Sequence, residues 1–151
     1  MTNPVTIIKE DHRYVENLFE DYKAIEEKDI DQKQDLALRI VTELRKHAAL
    51  EEAILYPELK EVFTSDEEGL KLVEEAYAEH GVAKTLMEGI TQLYPEDPQF
   101  SAKVTVLEEN IKHHVKEEEE GILPMMEIKM KEEALNSLGE KLQEYKTSEV
   151  Y

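Results

Sequence analysis

The sequence predicts an all-α protein, an antiparallel up-and-down four-helix bundle followed by a short extra C-terminal helix. Three observations carry that reading. The 151 residues are rich in Glu, Lys, Leu and Ala, with only five glycines and five prolines, and the prolines sit near expected helix ends. Apolar residues recur in alternating steps of three and four, the spacing of one helix face. Residues 11–20 and 44–57 are echoed by 79–88 and 111–124, so the chain reads as one helical hairpin written twice.

Each element has its own signal. Asn3-Pro4 offers a cap and a first-turn proline for a helix running to about Lys28, and Asp29 to Asp31 make the turn. A second helix runs from about Gln32 through Pro57 to Val62, kinked at the proline, which lacks a backbone donor and crowds the preceding turn. Ser65-x-x-Glu68 is a capping-box signature for a third helix ending near Tyr94. Asp97-Pro98 opens the fourth, which reaches past Glu120 and closes the bundle at about residues 4–128. The last helix spans about Lys131 to Tyr145, with Leu135, Leu138 and Leu142 on one face. No linker or low-complexity tract interrupts residues 1–151, which read as a single domain.

The phase of the apolar stripes decides where the polar residues point. The first helix gives Val5, Ile8, His12, Val15, Phe19 and Tyr22; the third gives Val73, Ala76, His80, Ala83, Met87 and Ile90. The second runs Ile40, Leu44, His47, Glu51, Ile54, and the fourth Val104, Leu107, Ile111, His114, Glu118. His12, His47, Glu51, His80, His114 and Glu118 thus interrupt apolar seams, whereas His113 lies off the seam. A His and a Glu four apart stand one above the other on a helix. Buried carboxylates without a partner cost several kcal/mol, on the order of what proteins avoid, and two on facing helices repel each other. A cation resolves both problems, and this donor set suffices for two metal ions.

Composition excludes other chemistries. Lys plus Arg number 18 against 36 Asp plus Glu, a formal charge of −18, which repels nucleic acid and anionic membrane surfaces. There is no cysteine, so thiolate sites, disulfides and cysteine nucleophiles are absent. The N-terminus lacks a basic start and a long apolar run, and no stretch of eighteen apolar residues occurs, so the expectation is a cytoplasmic protein. Tyr14, Tyr22, Tyr56, Tyr77 and Tyr94 are candidate redox or hydrogen-bonding neighbours of such a site, with amphipathic packing at a bundle surface the favoured reading of each; the run Glu117 to Glu120 reads as one ligand in an otherwise solvated face. Met125, Met126 and Met130 read as gap-fillers against the last helix.

The set His12, His47-x3-Glu51, His80 and His114-x3-Glu118 resembles the ligand pattern of the hemerythrin-like, or HHE cation-binding, domains, over residues 1–128. The resemblance implies a bundle around two non-haem irons, bridged by Glu51, Glu118 and an oxo or hydroxo group, with His12, His47, His80 and His114 as terminal ligands. Oxygen-carrying hemerythrins have a further histidine on the third helix; here the flanking positions are Ala76 and Lys84. Each ion would then keep one open position, in a symmetric pair. The implied ligands are O2, NO or peroxide, held in a pocket walled by Leu44 and Ile111, in sensing, detoxification or iron handling. Weak peroxidase or NO-related redox activity is compatible with that set. The alternatives are an iron-centre repair protein, whose relatives often carry a cysteine-bearing domain absent here, and a helical interaction module with a structural metal. Ligand type alone also allows zinc, copper or manganese; iron follows from the resemblance.

Overall fold

A computed structural model describes residues 2–148 and 151; positions 1, 149 and 150 of the expected 1–151 domain lie outside the described residues. The described residues form α1 (Pro4–Ala24), α2 (Ile30–Leu50), α3 (Tyr56–Val62), α4 (Glu67–Gln92), α5 (Pro98–Glu117), α6 (Leu123–Lys129) and α7 (Glu132–Thr147), with no strand among them. α3 continues α2 and α6 continues α5, each through one wide π-helical turn, Glu51–Leu55 and Glu118–Ile122. The result is the expected antiparallel four-helix bundle, with α7 laid along α1 as a fifth helix.

The π turns replace the expected kink. An α-helical proline at position 57 would clash with the carbonyl one turn back and leave it without a donor. Instead Tyr56 N–H bonds to the Glu51 carbonyl and Leu123 N–H to the Glu118 carbonyl, so one extra residue is taken into the turn ahead of Pro57 and Pro124. That residue rotates everything downstream on α3. Ile54, expected inward, is half-buried, and Leu55 and Tyr56 take its place in the core.

Two further boundaries move. α1 ends at Ala24 rather than Lys28, because Glu26 and Glu27 are poor residues for a helix C-terminus and a Glu26-to-Asp29 turn hydrogen bond reverses the chain. α2 starts at Ile30, capped by Asp29, whose side chain accepts from Gln32 N. Asp66, not Ser65, caps α4 by accepting from Gly69 N at 3.0 Å. Gly69 is required there: a Cβ would sit 2.7 Å from the Phe63 ring. Asn3 and Asp97 cap α1 and α5 as expected.

The apolar interior falls into two clusters. One holds Val5, Ile8, Leu50, Leu55, Tyr56, Leu59, Phe63, Val73, Met126, Met130, Leu138 and Leu142, so the methionines and α7 pack where expected. The other holds Val15, Phe19, Ile40, Leu44, Ala83, Met87, Phe100 and Leu107. On every bundle helix the change from one cluster to the other falls at a histidine: His12, His47, His80 and His114. A polar layer crosses the bundle between two greasy halves.

Candidate metal centre

All six residues read from the seams meet in that layer. His12, His47, His80 and His114 are buried, and Glu51 and Glu118 are 0% exposed. His12, His47, Glu51 and Glu118 bring one donor atom each within 4.8 Å of one another, and Glu51, His80 and His114 do the same beside them; either group could hold a metal ion. Glu51 belongs to both. Its Oε2 lies 3.2 Å from His47 Nε2 and its Oε1 lies 3.1 Å from His80 Nε2. Glu118 spans the same gap from the other side, 3.1 Å from His12 Nε2 and 3.3 Å from His114 Nε2. His113 is exposed, as expected, and its Nε2 touches Glu79 at 3.2 Å.

The donor chemistry fits a cation. His12 Nε2, His47 Nε2, Glu51 Oε2 and Glu118 Oε1 are buried without a hydrogen-bond partner, although each nitrogen is near a carboxylate oxygen, because neither pair is aligned as a hydrogen bond. Orphaned polar atoms are rare in protein interiors, and these converge on one point.

Behind the cluster stands a ring of acids that seam phase does not reveal. His47 Nδ1 bonds Asp11 at 2.9 Å and His114 Nδ1 bonds Glu79 at 3.0 Å. His80 Nδ1 bonds Glu52 at 2.8 Å and His12 Nδ1 bonds Glu119 at 2.6 Å. Each imidazole therefore gives its Nδ1 proton to a carboxylate and turns Nε2 inward, the tautomer a metal-ligating histidine needs. The signal was in the chain: each acid is adjacent in sequence to one of the six. Glu119 thus corrects the reading of Glu117 to Glu120 as solvated apart from one residue.

Electrostatics agree with a cluster short of positive charge. Burial pushes the His47 imidazole down, but the Glu51 charge and the Asp11 hydrogen bond outweigh it and raise its pKa to about 10. His114 is likewise pushed well up, burial being overcome by Glu118. Burial would raise the Glu51 carboxyl, yet the neighbouring His47 holds it well below the usual range. Protons occupy the role a cation would take.

Tyr56 breaks the expected symmetry. It is completely buried, and its hydroxyl donates to Glu118 Oε2 at 2.7 Å and faces Glu51 Oε1 at 3.1 Å. His80 Nε2 and His114 Nε2 stand 3.3 and 3.4 Å from the same oxygen. The favoured reading of surface packing therefore fails for Tyr56 and that of a hydrogen-bonding neighbour holds: the π turn swings Tyr56, five residues after Glu51, into the site. The duplicated position is Leu123, so only the His80–His114 side has a phenol. On the side away from Tyr56 an apolar cavity opens against the histidines, walled by Val15, Leu44, Ala83, Met87 and Ile111.

Comparison with known proteins agrees with this architecture. The family model of the hemerythrin HHE cation binding domain matches residues 3–126. The chain belongs to the hemerythrin family. It is 26% identical over 133 residues to an uncharacterised hemerythrin-like protein of Schizosaccharomyces pombe, covering 88% of this chain and 64% of the relative. It is 29% identical over 113 residues to a protein of a Nostoc species named DNA nickase, covering 75% of this chain and 30% of the relative. The chain thus spans less than two thirds of either relative's length. Its fold is similar to the crystal structure of a hemerythrin HHE cation binding domain-containing protein from Mycobacterium kansasii, with TM-score 0.79, 23% identity, and coverage of 96% of this chain and 88% of that one. In this hemerythrin-family chain, none of the helices among the described residues is long and apolar enough to cross a membrane.

Proposed function

We propose that this protein holds two iron ions between Glu51 and Glu118, one on His12 and His47 and the other on His80 and His114, and that a small ligand, O2, NO or peroxide, binds beside them. The convergence of four unpartnered buried donor atoms at the centre of a hemerythrin-family bundle supports the reading. Bound there, a reduced diiron centre supplies electrons and an open coordination position to such a ligand.

The chain's residues supply the rest. Asp11, Glu52, Glu79 and Glu119 orient the imidazoles and raise their basicity. Tyr56 offers an additional oxygen donor, or a proton through its hydrogen bond to Glu118, on the His80–His114 side only. The apolar cavity walls limit water and proton access on the opposite side. A small ligand would be received by the cavity, and two ions held there would have different surroundings, Tyr56 standing beside His80 and His114 only.

Iron analysis with anaerobic visible spectroscopy tests the proposal. Wild type should bind two irons per chain and change its visible bands with azide, NO or O2. Glu51→Ala should abolish two-iron binding, whereas His113→Ala, exposed and off the seam, should keep it. Equal loss in both variants overturns the ligand assignment. Metal that raises stability but ignores every small ligand would make the site structural.

A further inference from the structure

A ligand has to reach the cavity, and the internal duplication supplies two matched flanks to compare. Between α2 and α4, an outer recess lined by Arg45, Glu52, Lys84 and Glu88 is divided from the inner cavity by Ala48 and Met87, which line both spaces. Between α1 and α5, the corresponding recess meets the cavity only at Ile111. The duplication aligns Ala48 with Val115, Met87 with Phe19 and Arg45 with Lys112.

The two partitions differ in what must move. Met87 and Phe19 are 1% and 2% exposed, so both flanks are shut and passage needs a side-chain excursion. On the α2–α4 flank that excursion belongs to an unbranched thioether beside a single methyl, the most adaptable pair a core offers. On the α1–α5 flank the wall is an aromatic ring, with β-branched Val115 and Ile111 stiff at χ1 on a helix. The mouths differ too. Arg45 makes no ion pair among the described residues, whereas Lys112 lies 3.5 Å from Glu108, which also holds Lys23 at 3.0 Å. In a chain of net charge −18, the α2–α4 recess sets Arg45 and Lys84 against Glu52 and Glu88, whereas the α1–α5 recess sets Lys112 against Glu16, Glu20 and Glu108, so an incoming small anion is repelled less on the α2–α4 flank.

We propose that small ligands enter by the α2–α4 flank, with Met87 as the moving gate and Ala48 setting the size that passes. Neutral diatomics and small linear anions fit this route; it rests on the small-ligand reading above. A gate changes the rates of arrival and departure together and leaves the equilibrium alone.

Stopped-flow binding of azide to the iron-loaded full chain tests this. The pair Ala48→Val and Met87→Phe copies the α1–α5 wall onto the α2–α4 flank, and should slow association and dissociation alike by about tenfold or more. Met87→Ala should speed both, and Phe19→Leu on the matched flank should change neither. Ala48→Val alone, at a half-buried site, carries the test if the Met87 variants misfold. Wild-type rates in the copied-wall variant, equal sensitivity at Phe19, or altered affinity at unchanged association rate would overturn the route. Xenon exchange by NMR into the zinc-loaded chain repeats the comparison without any metal–ligand bond. If azide leaves wild type unchanged, the small-ligand reading fails, and xenon still decides the route: slowed by the copied wall, it stands; unaffected, it falls.

Discussion

Asp11 is exposed to two demands at once, accepting from His47 Nδ1 and contacting the Lys146 ammonium of α7. Its carboxyl is held below the usual range: burial pushes it up, but His47 and Lys146 outweigh that. Asp11→Asn keeps the shape and removes the charge behind His47, so metal affinity should fall by about 10- to 100-fold with helix content unchanged. A competition titration against a chromophoric chelator, alongside circular dichroism, checks this. The pH dependence of the metal-free chain follows from the same groups. His47 is raised from 6.5 to about 10, so its contribution is complete below pH 6.5 and is lost as pH rises through about 10. Glu51 is lowered from 4.5, so its contribution is present above pH 4.5 and disappears as pH falls through its depressed value. Metal-free stability should therefore peak between pH 4.5 and 6.5 and decline toward alkaline pH, as read by urea unfolding across that range. Iron should remove the alkaline decline, since a cation replaces the protons; flat alkaline stability without metal would contradict the charge assignment.

At the scale of elements, seam phase located the six central residues because an undisturbed α-helix keeps its period up to the point of interest. His12 and His80 lie within straight helices, and His47 and His114 lie ahead of the wide turns. Beyond Glu51 the same counting fails. Pro57 announces that the helix must adjust, but proline alone does not say whether the chain kinks or takes in an extra residue. That ambiguity is why surface packing is favoured for Tyr56; Asp11 and Glu79 are legible as the acids of the duplicated pairs Asp11-His12 and Glu79-His80, without the histidine each one meets, and Glu52 and Glu119 are lost because a half-buried acid at a helix flank has the same local pattern as a solvated one. α7 offers a separate test. Leu138 and Leu142 are fully buried, and a Cβ on Gly139 would collide with the Thr2 carbonyl oxygen. Gly139→Ala should force α7 off the N-terminal segment, costing about 1–3 kcal/mol. Hydrogen exchange should show earlier opening of α7 while α4 and α5 keep their protection.

For the whole molecule, a polar layer between two apolar clusters makes folding and metal loading one problem. Each half of the core is apolar, but the layer joining them carries carboxylates that gain from a cation. Metal binding should raise Tm in a concentration-dependent way, by the free energy of mass action on the native state. At neutral pH it should also release about two protons, from the raised His47 and His114, seen as a buffer-dependent heat in calorimetry. Absence of any proton release would mean that the ions bind elsewhere.

Tyr56 standing where the second copy has Leu123 has a bearing on the history written into the chain. A pair of identical hairpins associating about a twofold axis must give both ions identical neighbours, since whatever one copy presents the other presents too. Covalent fusion lifts that obligation. Once the hairpins share a backbone, one copy can carry a phenol where the other carries an isobutyl group, and the two flanks of the cavity can differ. Tyr56→Leu should bring the two positions closer in environment, with a smaller splitting between their ferrous signals by Mössbauer spectroscopy than in wild type. Any difference between two ions held there would thus be a property that no self-assembled dimer of a single hairpin could acquire.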